Sequence, residues 1–205
     1  MKIHDILNEQ ETLRKVVLYP GRFQPPHIGH MKAWEWLKGE YGNATIVTSD
    51  KVDPPRSPFN FQEKKALMMH AGVPSDSIVQ VRNPYLANEI VDKMDKDSFV
   101  LIFAVSEKDM AEDPRFRFGP KKDGSPSYFQ SYKDNMNDLK PASQHGYITT
   151  VPTFNFNVLG KPMRSATEFR AQFAQADDNT QAQMIEGLYG SYSDEIHNLM
   201  KAKIV

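Results

Sequence analysis

At 205 residues the chain is long enough to bury a core within one α/β domain of ordinary size, with room for a helical appendage. Its 25 basic and 26 acidic residues leave a formal charge of -1, so composition carries no electrostatic footprint for a nucleic-acid partner, and none is expected. The absence of cysteine excludes a disulfide framework, a thiolate metal site and a thiol nucleophile. The first fifteen residues are too charged for a secretory apolar region, and no apolar run approaches the ~20 residues a bilayer requires. The expectation is a cytoplasmic protein without a membrane partner.

Residues 1–14 read as an N-terminal helical segment. A core domain is expected over 15–170, and C-terminal helices packing on it over 171–205. Within the core, short β-rich runs bounded by turn residues predict strands at 15–19, 44–49, 77–81, 98–105 and 147–151. Between them Met31, Trp34 and Leu37, then Ala66 and Met69, then Leu86, Ile90 and Met94 recur at helical spacing, so each gap holds a crossover helix. Such alternation predicts a five-stranded, parallel, doubly wound sheet of Rossmann-like α/β type, whose ligand site lies beyond the carboxyl ends of the strands.

Residues 106–146 interrupt the pattern. This stretch of Lys, Asp, Pro, Gly, Ser and Tyr is too long for a passive connection, and it reads either as an insertion that covers a substrate or as a mobile excursion. Its aromatics, interleaved with Arg115, Arg117, Lys121 and Lys122, carry two readings: a single-strand nucleic-acid surface, or rings that pin the insertion to its own domain. After Glu168 the sequence is helical, with Gly190 to Ser193 separating two helices and Ser193 as an N-cap.

The most informative run is GRFQPPHIGH at 21–30, between the first strand and a helix. A strand end, a Gly/Pro turn and a helix N-terminus gather unsatisfied backbone N–H groups and a positive dipole end in one small volume that suits phosphate. His27 and His30 can both donate to the same anion there, and Gly29 allows the backbone to approach closely. A zinc pair is the competing reading, but no third ligand of suitable spacing accompanies them. A second run, RSATEFR at 164–170, offers Ser165, Thr167 and first-turn amides at another helix start, with Arg170 adding a charged fork. Taken alone, Ser165 and Glu168 form an ordinary capping box.

GRFQPPHIGH resembles the signature of the HIGH-motif nucleotidyltransferase superfamily, and its GRFQP form is most similar to nicotinamide-mononucleotide adenylyltransferases of the archaeal and phage type. RSPFNFQEK at 56–64 is similar to the segment after the family's second strand. RSATEFR is similar to the second signature, with Arg164 and Phe169 in place of apolar residues. The resemblance spans roughly residues 15 to 175. It implies an enzyme that transfers AMP from ATP to a phosphorylated small molecule, with nicotinamide mononucleotide as the foremost acceptor, and releases pyrophosphate. His27, His30 and Arg170 take catalytic roles in this reading. Gly21, Arg22, Phe23, Gln24, Gly29, Ser165 and Thr167 bind the nucleotide, and Mg²⁺ is held mainly by its phosphates, with no dedicated protein metal site. Weaker candidates for the acceptor are Lys51, Arg82, Asn83, Tyr85, Ser106 and Asp109, all in loops after strands. Tyr85 reads equally well as a stacking ring and as a core-packing one.

Two other readings remain open: a cytidylyltransferase using CTP or a pantetheine-phosphate adenylyltransferase, and a catalytically idle nucleotide-binding module. Gln24, where many enzymes of the former kinds carry Asp, weighs against them. Class I aminoacyl-tRNA synthetases share the letters HIGH, but the chain is short for them and lacks a KMSKS loop. A homo-oligomer is compatible with the sequence and is not specified by it.

Overall fold

A computed structural model describes residues 13–112, 116, 118–163 and 165–205. The segment 1–12 lies outside the described residues, as do Arg115, Arg117 and Arg164 and the side chain of Asp109. Six strands form one parallel sheet: β1 (Arg14–Pro20), β2 (Thr45–Thr48), β3 (Ile78–Gln80), β4 (Phe99–Ser106), β5 (Phe129–Ser131) and β6 (Gly146–Val151). Their order is β3-β2-β1-β4-β6-β5, so the chain reverses its direction of winding between β1 and β4.

The expected five strands form within two residues of their predicted limits. The sixth, β5, lies inside the stretch treated above as an insertion. It pairs with β6 at the sheet edge through Phe129, Gln130 and Ser131, three residues that are too few to display a period of two. The stretch 106–146 also carries helices α4 (Glu107–Glu112) and α5 (Tyr132–Asn135), which follow α1 (Ile28–Tyr41), α2 (Phe61–His70) and α3 (Asn88–Val91) in chain order. Its aromatics serve the domain. Phe116 and Phe129 lie 5.0 Å apart edge to face, and both rings meet Phe103 on β4.

Burial on both faces explains why residues 16–19 of β1 and 99–105 of β4 are apolar without alternation. Val17 and Tyr19 of β1, with Val100, Ile102 and Ala104 of β4, pack against α1 residues Met31, Trp34 and Leu37. The alternate residues Val16, Leu18, Phe99, Leu101 and Phe103 build the opposite cluster with Val91 and Ile148. Two expected helical faces are corrected. In α2, Met69 is exposed and the core face is Phe61, Lys64, Leu67 and Met68, because the helix begins at Asn60, whose side chain accepts from the Glu63 amide. Leu86 lies outside α3, which is a single turn.

Beyond β6 comes an antiparallel hairpin of β7 (Phe156–Val158) and β8 (Lys161–Met163), followed by α6 (Ala166–Phe173), α7 (Asp178–Tyr189) and α8 (Asp194–Ile204). A third cluster joins Phe156, Val158 and Met163 of the hairpin to Phe169, Phe173, Ile185 and Leu188, and also to Phe59 and Leu67. α6 runs through residue 170, so this cluster spans the expected division of the chain. Gly190 ends α7 in the left-handed conformation, and Ser193 caps α8 through the Ile196 amide. Among the described residues no helix is long and apolar enough to cross a membrane.

Candidate active site

The switch between β1 and β4 opens a crevice at the strand ends, where an α/β sheet places its ligands. A pocket of about 720 Å³ fills it. One wall is the turn from β1 into α1, contributing Gly21, Arg22, Phe23, Gln24, His27, Gly29 and His30. The facing wall is the end of β6, the hairpin and the start of α6, with Ser165, Thr167 and Arg170. Two helix beginnings more than 130 residues apart in sequence therefore face one cavity, each bringing its first turn and a positive dipole end.

The first wall is held by specific contacts. Phe23 adopts φ +51, a left-handed conformation that a bulky residue takes only where its surroundings enforce it. Its ring covers Gly21, where a Cβ would come within 2.6 Å of it. Gln24 is buried, and its amide grips the backbone of Phe59 twice: Nε2 donates to the carbonyl at 2.8 Å, and Oε1 accepts from the N–H at 2.9 Å. Gln24 lines the pocket as expected, while its amide holds the turn to the segment that precedes α2. Gly29 permits the close backbone approach expected of it, here by another part of the chain. A Cβ there would lie 2.7 Å from the carbonyl oxygen of Phe154, so its smallness lets the two walls of the pocket meet.

His27 and His30 stack with ring centroids 3.6 Å apart and planes 26° from parallel. His30 Nδ1 accepts from the backbone N–H of His27 at 3.2 Å, so in the neutral ring the proton resides on Nε2. Burial lowers the His30 pKa to about 4. His27 is also held well below the ordinary histidine value, by burial first and by the neighbouring His30 second. Both rings are neutral at pH 7, each with one N–H to offer.

Arg170 completes the second wall. Its guanidinium donates to the carbonyl of Gln24 across the pocket mouth and, more weakly, to Thr167 Oγ1 at 3.4 Å. Desolvation first, and the nearby charge of Arg22 second, lower its pKa. Ser165 caps α6 by accepting from the Glu168 amide at 3.1 Å. Arg56, absent from the sequence-derived set, also reaches this pocket. The signal available for it was its place one residue before the Ser-Pro-Phe turn of the family-like segment. Three arginines thus face the cavity, and no carboxylate among the described residues lines it.

The weaker candidates divide. Tyr85 and Ser106 line the pocket. Lys51 is exposed and does not line it. Arg82 and Asn83 are exposed and shape the turn that delivers Tyr85: the Arg82 N–H donates to Glu89 at 2.8 Å, and Asn83 Oδ1 accepts from the Tyr85 N–H at 3.0 Å. Sequence reasoning also missed Phe154, Asn155, Phe156 and Met163, which line the second wall from the hairpin region. Among the described residues no group of three or more His, Asp or Glu side chains could hold a metal ion.

Comparison with known proteins gives the family and the fold. The model of the cytidylyltransferase-like family matches residues 18–121, just over half of the chain, and the chain belongs to that family. A stretch of 58 residues is 38% identical to the nicotinamide-nucleotide adenylyltransferase of Sulfurisphaera tokodaii, covering 27% of this chain and 33% of that protein. The fold is similar to two structures of a bifunctional NMN adenylyltransferase/ADP ribose pyrophosphatase from Francisella tularensis. The form complexed with AMP and a Mn ion gives a TM-score of 0.52 at 16% identity, and the other gives 0.50 at 18%. Each comparison covers 93% of this chain and 49% of that one, so the chain spans a third to a half of the length of these relatives.

Proposed function

We propose that this member of the cytidylyltransferase-like family is an adenylyltransferase that transfers AMP from ATP to a phosphorylated small molecule, with nicotinamide mononucleotide as the first acceptor to test. The observation that carries the reading is the convergence of two helix N-termini, the imidazole pair and three arginines on one pocket that no described carboxylate lines. Such a pocket is suited to a polyphosphate. The relatives named as NMN adenylyltransferases favour ATP and this acceptor.

In the reaction, an acceptor phosphate oxygen, already ionised at neutral pH, attacks the α-phosphorus of ATP. The new P–O bond forms as the bond to the β-phosphate oxygen breaks, and pyrophosphate leaves with the electron pair. No general base is required, so the protein's work is placement and charge stabilisation. Neutral His27 and His30 donate to the α-phosphate oxygens. Arg170, Arg22, Arg56 and the first amides of α6 face the charge that grows on pyrophosphate. With no carboxylate in the lining, Mg²⁺ fits only as an ion carried by the phosphates and water, where it would neutralise part of the triphosphate charge.

The test is pyrophosphate release from ATP or CTP with a panel of phosphorylated acceptors. ATP with nicotinamide mononucleotide is expected to turn over. The His30→Ala variant is expected to lose about 10²-fold or more in kcat while remaining folded, because it removes a transition-state donor. Nucleotide binding without turnover on any acceptor, or full activity in His30→Ala, would overturn the assignment.

A further inference from the structure

We propose that the β7–β8 hairpin is a positioning element for the histidine pair, with Phe156 fixing the ring orientation of His27. What the imidazoles then do rests on the proposed function. The positioning itself does not.

Four rings form a column across the pocket floor. The phenyl face of Phe156 stacks on His27 at 4.1 Å and 21°, His27 stacks on His30 at 3.6 Å, and the Phe23 ring closes the far end edge-on to His30 at 5.0 Å and 82°. The two imidazoles are secured differently. His30 has a directional anchor, since its Nδ1 accepts from the His27 amide. His27 Nδ1 is buried and makes no hydrogen bond of ordinary geometry, although the His27 side chain faces the His30 N–H in the helix cap. Rotation of the His27 ring is therefore restrained by the rings on either side, and Phe156 supplies the outer one.

Phe156 is in turn held from behind. It is buried, pairs across the hairpin with Met163, and belongs to the cluster of Phe169, Phe173, Ile185 and Leu188. A Cβ on Gly187 of α7 would lie 3.3 Å from both the Asn157 carbonyl oxygen and the Val158 Cα, so the bare backbone of α7 lies directly on β7. Packing of the C-terminal helices is thereby transmitted to His27 through one phenyl ring.

The ionisable groups that share the pocket with His27 are His30, Arg22, Arg56, Arg170, Tyr19 and Tyr85. All are cationic or neutral, so none favours a charged imidazole. Dislodging the phenyl face admits water to His27 and relieves the desolvation that keeps it unprotonated.

The experiment is an NMR titration of the histidine side chains of the full chain, free of nucleotide, in wild type, Phe156→Leu, the softer Phe156→Met and the ring-retaining Phe156→Tyr. The midpoint of His27 is expected to rise toward 6.5 by about a unit or more in the Leu and Met variants, to move less for His30, and to stay near wild type with Tyr. In parallel, kcat is expected to fall about tenfold with KM for ATP within threefold, and Tyr to restore it. A His27 titration in a folded Leu or Met variant that overlays wild type would overturn the proposal. Because the titration needs no turnover, a protein inactive on every acceptor would refute the enzymatic reading and leave this one to be decided on its own result.

Discussion

The two walls of the pocket reach a similar end by different construction. The β1–α1 wall is one contiguous run of residues, held by a left-handed Phe23, by the double grip of Gln24 on Phe59 and by the imidazole that receives the His27 amide. The facing wall is assembled from the end of β6, a hairpin and the first turn of α6, and its hold depends on packing against the C-terminal helices. A site made of a continuous turn is rigid through local hydrogen bonds, whereas one made of separate elements inherits its precision from the cluster behind it. The two meet where Arg170 donates to the carbonyl of Gln24 and where the Phe154 carbonyl approaches Gly29.

Breaking the first wall should therefore cost the most stability. Gln24→Leu leaves the N–H and carbonyl of Phe59 without their partners in a buried site, at about 1–3 kcal/mol for each orphaned group. Destabilisation by about 2–4 kcal/mol is expected, which for a chain of this size lowers Tm by roughly 10 °C. Gln24→Glu keeps an acceptor for the N–H and loses the donor to the carbonyl, so it should fall between. Thermal unfolding measures both. A Leu variant as stable as wild type would mean that the turn is held by its covalent geometry alone.

The contrast between the walls also explains what the sequence disclosed. His27, His30, Ser165, Thr167 and Arg170 were legible because helix starts bearing donors have local signatures, and the four inner strands because burial on both faces makes apolar runs; the edge strand β3 was marked by the turn residues around it. The hairpin was not legible. Its two-residue turn places Leu159 at φ +53 and Gly160 at φ +72, and leucine in a left-handed position gives no turn signal, while Pro162 inside β8 argues against a strand. Nothing in the sequence therefore marks Phe156 for its place beside His27. The grip of Gln24 on Phe59 was hidden for the opposite reason: the residue sits within a motif whose neighbours line the pocket, and nothing in one dimension tells that its amide turns back to a backbone 35 residues away.

The second wall offers a smaller effect. Ser165→Ala removes the acceptor of the Glu168 amide and should destabilise by about 1 kcal/mol, since the other amides of the first turn remain in place. If the amides at the start of α6 are what meets the triphosphate, KM for ATP should rise a few-fold with little change in kcat. Calorimetry and steady-state kinetics separate the two consequences. A fall in kcat as large as that of His30→Ala would mean that the hydroxyl acts on the reacting phosphorus, and the division of labour between the walls would have to be redrawn.

The smallest effects should come from cations that the strand-end rule selected and the geometry left aside. Lys51 and Arg82 both follow strands at the carboxyl edge, as Arg22 does, yet only Arg22 lines the pocket. An exposed cation outside the lining acts through water, and beyond a Debye length of about 8 Å its attraction is largely screened. Lys51→Ala and Arg82→Ala should each change kcat/KM by less than about twofold at physiological ionic strength, while Arg22→Ala loses tenfold or more. If Lys51→Ala equalled Arg22→Ala, the loop after β2 would have to close over the substrate during turnover. The pocket seen here would then be one wall short of the working site.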